Sequence, residues 1–247
     1  MPLSRNIKIT LAYDGSGFMG WQVQDDVRTV QGVLEECLNK LLGDAERVIA
    51  AGRTDAGVHA FGQVVNVRTA ATIPAPAIKR ALNGTLPKDI SIIAVVDVSD
   101  DFHARYMAKS KQYVYIIDTS ELRSPLLAHY VLQVDYHLDI SAMQQAARYI
   151  IGKHDFAAFM GVGSPTKTTR RQISVSEVIG RGSRIYYYIE GSGFLRHMVR
   201  NIVGTLLVVG RKDMAPDDML RIIASSDRAK AGPTAPPQGL YLVGVNY

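Results

Sequence analysis

Several residue types are scarce in this chain, and each scarcity excludes a class of protein. Only one of the 247 residues is a cysteine, Cys37, so neither an internal disulfide nor a cysteine-based zinc site can form. The longest apolar run near the end, 202–209, contains Gly204 and Thr205 and is far too short to cross a bilayer. The first residues, Met1–Arg5, offer no apolar signal-peptide core, so we expect a cytoplasmic protein that contacts no membrane.

Charge is moderate, with a small basic excess. Hydrophobic residues make up 47% and charged residues 21%, the balance of a folded globular protein. Lys plus Arg is 28 against 23 for Asp plus Glu, and the net charge of +5 favours an anionic partner without proving one. Three short basic clusters stand out, namely Lys109 with Lys111, Lys167 with Arg170 and Arg171, and Arg196 with Arg200. Each cluster taken alone is typical of a solvated surface.

The first half of the chain alternates between strand and helix patterns. Apolar and polar residues alternate over 7–13, and from Thr29 the spacing becomes helical until Gly43. The patterns that follow predict strands over 47–51, 63–68 and 90–98 and a short helix over 77–82. The order β-α-β-β-α-β is the split βαβ plan of ferredoxin-like domains.

The second half repeats this plan with additions. The patterns predict strands over 113–117, 130–134, 173–179, 185–189 and 241–245, and helices over 141–151, over 194–209 and from Pro216. We therefore predict an α+β protein of two ferredoxin- or RRM-like halves, residues 1–105 and 106–247, whose antiparallel sheets merge and are flanked by helices. A cleft between the halves would hold a large ligand and the active site.

A glycine-rich segment follows the first strand pattern. Gly15-Ser-Gly17-Phe-Met-Gly20 matches the G-x-G-x-x-G spacing of dinucleotide sites, in which a helix opens directly on the glycines and faces a pyrophosphate. Here the helical pattern begins only at Thr29. The segment therefore favours a turn that displays Trp21 and Gln22, an aromatic platform suited to an RNA surface, over a nucleotide-cofactor site.

The densest group of reactive side chains lies in Gly52–His59. Gly52 and Gly57 bracket Arg53 and Asp55, and glycine permits turns and close approaches that other residues forbid. A carboxylate held in such a loop beside an arginine would stay ionised, which suits a nucleophile or a base. A hydrogen-bonded aspartate turn with a surface arginine is the plainer alternative, and the spacing alone does not decide between them.

The same segment carries a family resemblance. Gly52-Arg-Thr-Asp-Ala-Gly-Val-His59 is a family signature, and further matches follow in the right order along the chain. They are Tyr13–Gly15, Gly20–Gln22, Asp101–Arg105, Tyr113–Tyr115, Gly193–Phe194, His197–Gly204 and Gly239–Val243. On these residues the chain closely resembles the TruA-type family of bacterial tRNA pseudouridine synthases.

The resemblance implies a reaction and its partners. Members of this family isomerise uridine to pseudouridine at positions 38–40 of the tRNA anticodon stem-loop, so that the N1–C1′ bond breaks, the uracil rotates and C5 joins the ribose. An isomerisation requires no redox carrier, nucleotide cofactor or metal, and we expect no cofactor. The family is homodimeric, and a two-fold dimer would pool the basic clusters of both chains on one tRNA.

The resemblance also assigns roles to residues. Asp55 would be the catalytic nucleophile, and Arg53 would fill the space that the extracted uridine vacates. Arg200 would pair with Asp55. Tyr113 would stack on the uracil, while Tyr115 is left to packing. Leu240 would contact the base from the pocket wall.

Further substrate contacts are expected from the matched blocks and the basic clusters. They are Trp21, Gln22, His59, Arg196, Lys167 and Arg170. Arg196 and Arg200, four residues apart, would share a helix face, so that Arg196 reaches phosphate while Arg200 points inward. The stretch Gly161–Arg171 would be an RNA-clamping loop or, equally, a linker with incidental charge.

Two other functions stay open to test. A non-catalytic RNA-binding protein of RRM-like halves would suit the charge, although the chain lacks an aromatic-rich RNP1 pattern and would have no use for a catalytic carboxylate. An enzyme with a nucleotide cofactor at Gly15–Gly20 is disfavoured by context. Whether Asp55 would add to the pyrimidine ring, attack the sugar or remove a proton is open, because an ionised carboxylate suits all three.

Overall fold

A computed structural model of the chain describes residues 5–163 and 166–247. The chain forms two compact units: unit 1 contains the described residues up to Lys109 together with Tyr241–Tyr247, and unit 2 contains Ser110–Leu240. The expected division into 1–105 and 106–247 therefore differs at the C-terminus. Tyr241–Tyr247 belong to unit 1 because they pair with one of its strands.

Ten strands and five helices lie within the described ranges. The strands are β1 (Arg5–Tyr13), β2 (Ile49–Ala50), β3 (His59–Thr69), β4 (Ile90–Val98), β5 (Ser110–Asp118), β6 (Leu132–Gln133), β7 (Gly152–Asp155), β8 (Arg170–Arg181), β9 (Arg184–Gly191) and β10 (Leu240–Asn246). The helices are α1 (Val30–Leu42), α2 (Ala75–Thr85), α3 (Ile140–Arg148), α4 (Met198–Gly210) and α5 (Asp218–Ser225). The α+β class is confirmed, and so is the predicted order β-α-β-β-α-β of the first half.

The sheet of unit 1 is built around β1 and β3. β1 lies antiparallel between β4 and β3, and β2 pairs antiparallel with β3 opposite Val65 and Asn66. β10 pairs with the start of β3 in parallel, with Tyr241 opposite His59. The predicted antiparallel pairing therefore holds for β1, β2, β3 and β4, while β10 adds a short parallel pairing at His59 and Ala60.

The core of unit 1 explains why its helices form where they do. Thr29 caps α1 by accepting a hydrogen bond from the Gly32 N–H at 3.3 Å, and Gly43 ends it with a φ of 79°. The alternation of β1 and the helical spacings of α1 and α2 place their apolar side chains in one fully buried core. Its members include Ile7, Ile9, Leu11, Leu34, Leu38, Ile78 and Leu82.

The strands of unit 2 follow the order β5-β9-β8-β7. Neighbours in that order are antiparallel, while β6 pairs in parallel with β5. β7 was not predicted, because Gly152-Lys-His-Asp155 shows no apolar alternation, and the strand expected over 130–134 shrinks to Leu132–Gln133. Among the helices of the described residues, none is both long and apolar enough to cross a membrane.

Two helices of unit 2 begin later than the sequence predicts. His197 has a φ of 59°, in the left-handed region, so α4 begins at Met198 rather than near Phe194. Arg196 therefore precedes the helix, and the expectation that it shares a helix face with Arg200 is wrong. The second helix, α5, begins at Asp218 and not at Pro216.

Candidate active site

The loop between β2 and β3 carries Asp55, and its backbone is held on both sides. The Trp21 N–H donates to the Thr54 carbonyl at 3.0 Å, and the Val58 N–H donates to the Asp55 carbonyl at 3.1 Å. Thr54 is buried, Asp55 is half-buried and Arg53 is exposed. The loop therefore combines a fixed backbone with an aspartate that is only half-buried.

The glycine-rich turn after β1 packs directly on this loop, which explains its composition. A Cβ at Gly15 would lie 2.1 Å from the Val58 carbonyl oxygen, and one at Gly20 would lie 2.8 Å from the Thr54 carbonyl oxygen. Gly20 also has a φ of 90°, which side chains disfavour. These glycines permit a close approach between the backbones of two loops.

Tyr13, the last residue of β1, anchors the same loop from the core. Its hydroxyl lies 2.8 Å from Oγ1 of Thr54. Burial raises the pKa of Tyr13 to about 12, and side-chain hydrogen bonds with Thr54 and Gln63 oppose part of that rise. Nε2 of Gln63 also donates to the Gly52 carbonyl at 2.8 Å. A phenol that stays neutral at ordinary pH therefore holds the residue next to Asp55.

Trp21 lies in the core rather than at an RNA surface. Its side chain is 1% exposed, and its ring centroid lies 6.1 Å from that of Tyr13. The interpretation of Trp21 as an exposed aromatic platform is wrong, because the turn folds inward onto the Asp55 loop and buries the indole. Gln22, next to it, is half-buried, and its contact with substrate stays a prediction.

His59 is also buried. It is 2% exposed, and its ring stacks on Tyr241 with centroids 4.7 Å apart. Its Nδ1 accepts a hydrogen bond from the Gly15 N–H at 3.0 Å. Tyr241 of β10 covers the ring, and the imidazole holds the glycine turn in place. Contact between His59 and the substrate stays a prediction.

In unit 2, the two tyrosines on one face of β5 differ in their surroundings. Tyr113 is 8% exposed and meets Phe194 edge-to-face at 5.1 Å. Tyr115 is fully buried, and its hydroxyl donates to the Pro236 carbonyl at 2.7 Å. Burial raises the pKa of Tyr115. The assignment of Tyr115 to packing is confirmed.

Arg200, in the first turn of α4, is tied to the segment Ala231–Pro236, which we call the strap. Its Nε donates to the Ala235 carbonyl at 2.7 Å, and the Ala235 N–H donates back to the Arg200 carbonyl at 3.1 Å. The strap comes so close that a Cβ at Gly204 would lie 1.6 Å from the Pro233 carbonyl oxygen. This reciprocal pair fixes the backbone of Arg200 and the Nε edge of its guanidinium.

Arg228 holds the strap against α4, and no pattern in the sequence singles it out. Its guanidinium donates to the Gly232 carbonyl at 2.9 Å and to Oδ1 of Asn201 at 3.0 Å. Asn201, fully buried, also accepts from the Thr234 hydroxyl at 2.6 Å. Sequence patterns do not indicate a role for Arg228, because its hydrogen-bond partners lie either far away along the chain or within an irregular polar stretch.

Leu240 follows a short turn, Pro237–Gly239, that approaches β5 closely. A Cβ at Gly239 would lie 2.7 Å from the Tyr115 ring, so only glycine permits the approach. Leu240 itself is 5% exposed. The close contact fixes the position of Leu240 in unit 2, while its contact with a base stays a prediction.

The basic residues expected to reach RNA lie on the surface of unit 2. Arg196, Lys167 and Arg170 are all exposed, and Arg196 donates to the Val162 carbonyl at 3.4 Å. Of the expected clamping loop, Ser164 and Pro165 lie outside the described residues. Contact between these cations and phosphate stays a prediction.

Comparison with known proteins extends the resemblance to almost the whole chain. The family model described as tRNA pseudouridine synthase matches residues 9–107 and 146–247. The chain is 45% identical over 243 residues to tRNA pseudouridine synthase A of Caldicellulosiruptor bescii, covering 98% of this chain and 100% of that one. Identity to the protein of the same name from Moorella thermoacetica is 46%, covering 98% and 99%.

The α+β fold, the fixed loop that carries Asp55 and these matches together define an isomerase that modifies RNA. The chain belongs to the family of tRNA pseudouridine synthases, and tRNA is its substrate. Among solved structures, a crystal structure of a Cbf5–Nop10–Gar1 complex is similar over 81% of this chain and 45% of its own, at 13% identity and a TM-score of 0.37.

Proposed function

We propose that this synthase isomerises uridines at positions 38–40 of the tRNA anticodon stem-loop, with Asp55 as the nucleophile. One observation supports the role of Asp55: it is half-buried on a loop whose backbone accepts a hydrogen bond from Trp21, and the side chain of the preceding Thr54 is hydrogen-bonded to Tyr13. The positions 38–40 rest on the family resemblance. A carboxylate held in this way can meet a flipped base with little reorganisation, which is where much catalytic stabilisation arises.

The proposed reaction balances between the substrate and water. The N1–C1′ bond breaks and a C5–C1′ bond forms, while the C5 proton leaves to solvent and N1 takes up a proton. Asp55 would serve by adding to the ring, attacking the sugar or removing a sugar proton. The uridine must first leave its stack, at a cost of roughly a few kcal/mol.

Four further residues have proposed roles. The exposed side chain of Arg53 would fill the space left by the base. Tyr113, supported by Phe194, would stack on the uracil at about 1–3 kcal/mol. Leu240 would form part of the pocket wall and contact the base. Arg200, whose Nε is fixed on the strap, would pair with the catalytic carboxylate and hold its rotamer.

The experiment is tritium release from tRNA labelled at uridine C5, combined with mapping of the modified positions. The wild-type enzyme should release label and leave pseudouridine at positions 38–40. Asp55→Asn should abolish release while tRNA affinity stays within about tenfold, a margin of 1.4 kcal/mol. Asp97→Asn is the matched control, because it makes the same chemical change at a side chain that is 59% exposed.

Each outcome decides a separate point. Release by Asp55→Asn at the wild-type rate would contradict the assignment of the nucleophile. Pseudouridine at other tRNA positions would contradict the proposed specificity while leaving the chemistry intact. Binding of tRNA by the wild type without any release would favour the non-catalytic RNA-binding alternative.

We also propose that the enzyme works as a two-fold homodimer. Each chain carries a net charge of only +5, and the exposed cations Lys167, Arg170 and Arg196 of two chains together would neutralise more phosphates than those of one. Sedimentation velocity at the concentration of the activity assay tests this. A fully active monomer would contradict the proposal.

A further inference from the structure

A cluster of exposed aromatic and basic side chains lies at the end of unit 1, in residues His103–Lys109, here called the 103–109 turn. None of the roles above uses it. Tyr106 is 77% exposed, and its ring stacks on His103 with centroids 4.2 Å apart. The Arg105 guanidinium carbon lies 5.8 Å from the Tyr106 centroid, and both Arg105 and Lys109 are exposed.

The imidazole of His103 organises the turn from within. Its Nδ1 accepts hydrogen bonds from the N–H groups of Arg105 and Tyr106, each at 3.2 Å. The ring that Tyr106 stacks on is therefore also the group that orders the backbone of Tyr106. This arrangement holds a large exposed ring in one orientation.

A buried polar pair supports the turn from below. The Ala104 N–H donates to Oδ1 of Asn66 at 2.9 Å, and Nδ2 of Asn66 donates to Oδ1 of Asn6 at 3.0 Å. Asn6 also holds the Phe102 carbonyl at 2.8 Å, and the Tyr247 hydroxyl holds the Ala104 carbonyl at 2.8 Å. Because the turn is already ordered, little conformational entropy of the protein is lost when a ligand binds to it.

The chemistry of the turn matches one unpaired nucleotide. An exposed aromatic face beside a guanidinium is the arrangement on which single-stranded bases stack, and nearby cations attract the phosphates that flank them. An acidic peptide would be satisfied by Arg105 and Lys109 alone and would not need a ring held in place. The exposed, oriented ring of Tyr106 therefore favours RNA.

We propose that the 103–109 turn binds an unpaired nucleotide of the tRNA. The base stacks on Tyr106, and Arg105 and Lys109 contact the adjoining phosphates. The proposal rests on the proposed function only for the identity of the RNA. It adds a point of contact that is separate in its residues from those assigned to the reacting uridine and to the other phosphates.

Equilibrium binding of unmodified tRNA transcript to the full-length protein tests the stacking. Tyr106→Ala should weaken binding about tenfold, which is about 1.4 kcal/mol, whereas Tyr106→Phe keeps the ring and should stay within about twofold. Tyr130→Ala is the matched control, since it removes a tyrosine that is 38% exposed in unit 2 and should also stay within about twofold. Because Tyr106 is so exposed, its truncation should not unfold the protein.

Two further readouts separate stacking from charge. Arg105→Ala should lower the slope of log affinity against log salt by about one, and Tyr106→Ala should leave that slope unchanged. Fluorescence of Tyr106→Trp should be quenched by the transcript, against the constant background of the buried Trp21. Repeating the titration with the isolated anticodon stem-loop identifies which part of the tRNA supplies the nucleotide.

Three results would overturn the proposal: a Tyr106→Ala affinity equal to wild type, a Tyr106→Phe loss as large as that of Tyr106→Ala, or an unquenched Tyr106→Trp. An effect of Arg105→Ala alone would mean a general charged surface or an acidic protein partner. Because these are binding measurements without turnover, their failure leaves the tritium-release test of Asp55 untouched. Failure of that test, in turn, leaves the binding result standing.

Discussion

The hydroxyl of Tyr13 lies 2.8 Å from Oγ1 of Thr54, the residue directly before Asp55. Tyr13 ends a strand whose other apolar residues lie in the core of unit 1. The hydrogen bond between Tyr13 and Thr54 therefore connects this core to the candidate catalytic loop. The stability of unit 1 and the position of Asp55 are thereby coupled. A substitution at Tyr13 should therefore change both.

Tyr13→Phe removes this hydroxyl and leaves Oγ1 of a buried threonine without it. We expect the free energy of unfolding to fall by about 1 kcal/mol. Because the loop loses an anchor next to Asp55, kcat for tritium release should fall more than tRNA affinity does. Urea unfolding and steady-state kinetics measure the two effects. A variant that loses stability but keeps its kcat would show that Thr54 stays in place without Tyr13.

The same residue predicts a dependence of stability on alkaline pH. Burial raises the pKa of folded Tyr13 from 10.0 to about 12, so the folded state holds this proton more tightly than the unfolded state. The stabilisation is fully present below the unfolded pKa of about 10 and is lost as pH rises toward 12, by at most about 3 kcal/mol. Urea unfolding across this window should show a smaller loss in Tyr13→Phe than in the wild type. Equal losses in both would contradict the prediction.

Gly20→Ala should damage activity through a single added carbon. The new Cβ would lie 2.8 Å from the Thr54 carbonyl oxygen at a φ of 90°, so the Asp55 loop must shift. Gly43→Ala is the matched control, with a φ of 79° and no atom within 4 Å of the new Cβ. Both should lose about 1 kcal/mol of stability to backbone strain, and only Gly20→Ala should lose kcat, by at least about tenfold.

Arg228→Ala should loosen the strap and, through it, Arg200. It removes donors to the Gly232 carbonyl and to Asn201, a buried group, at a cost of about 1–3 kcal/mol in stability. If Arg228 acts as a positioning residue, kcat falls while tRNA affinity holds, and Arg228→Lys restores part of the kcat. Arg221→Ala, at a side chain that is 81% exposed, should change neither quantity. A stability loss with unchanged kcat would make Arg228 purely structural.

Trp21 should report on its own burial, because it is the only tryptophan in the chain. At 1% exposure its native fluorescence should resist quenching by acrylamide, and the emission should move to longer wavelength when unit 1 unfolds. Efficient quenching in the native protein would restore the interpretation of Trp21 as a surface platform.

Tyr113→Phe tests whether the ring or its hydroxyl matters. The edge-to-face contact with Phe194 needs only the ring, so a role limited to stacking predicts a mild loss in kcat/KM. A complete loss of tritium release would instead mean that the hydroxyl moves a proton. Tyr113→Leu, which keeps apolar bulk without a ring, should be clearly worse than Tyr113→Phe if stacking is the role.

The sequence by itself determined what depends on neighbours along the chain. The alternation over 7–13 and the capping residues Thr29 and Gly43 specify a strand and a helix through local geometry, and the structure has both. The block Gly52–His59, together with the other matched segments, identified the family, since the reactive groups and glycines of such a loop lie close together in the sequence.

Only the tertiary structure decided which of those residues are buried and what holds them. Trp21 and His59 lie in matched blocks, yet both are enclosed, and β10 returns to unit 1 to stack Tyr241 on His59. Arg228 reaches Asn201 across a gap of 27 residues that no local pattern spans. The physical reason is that burial and hydrogen-bond pairing depend on atoms that folding brings together from distant parts of the chain. The residue type alone specifies only which interactions a side chain can make.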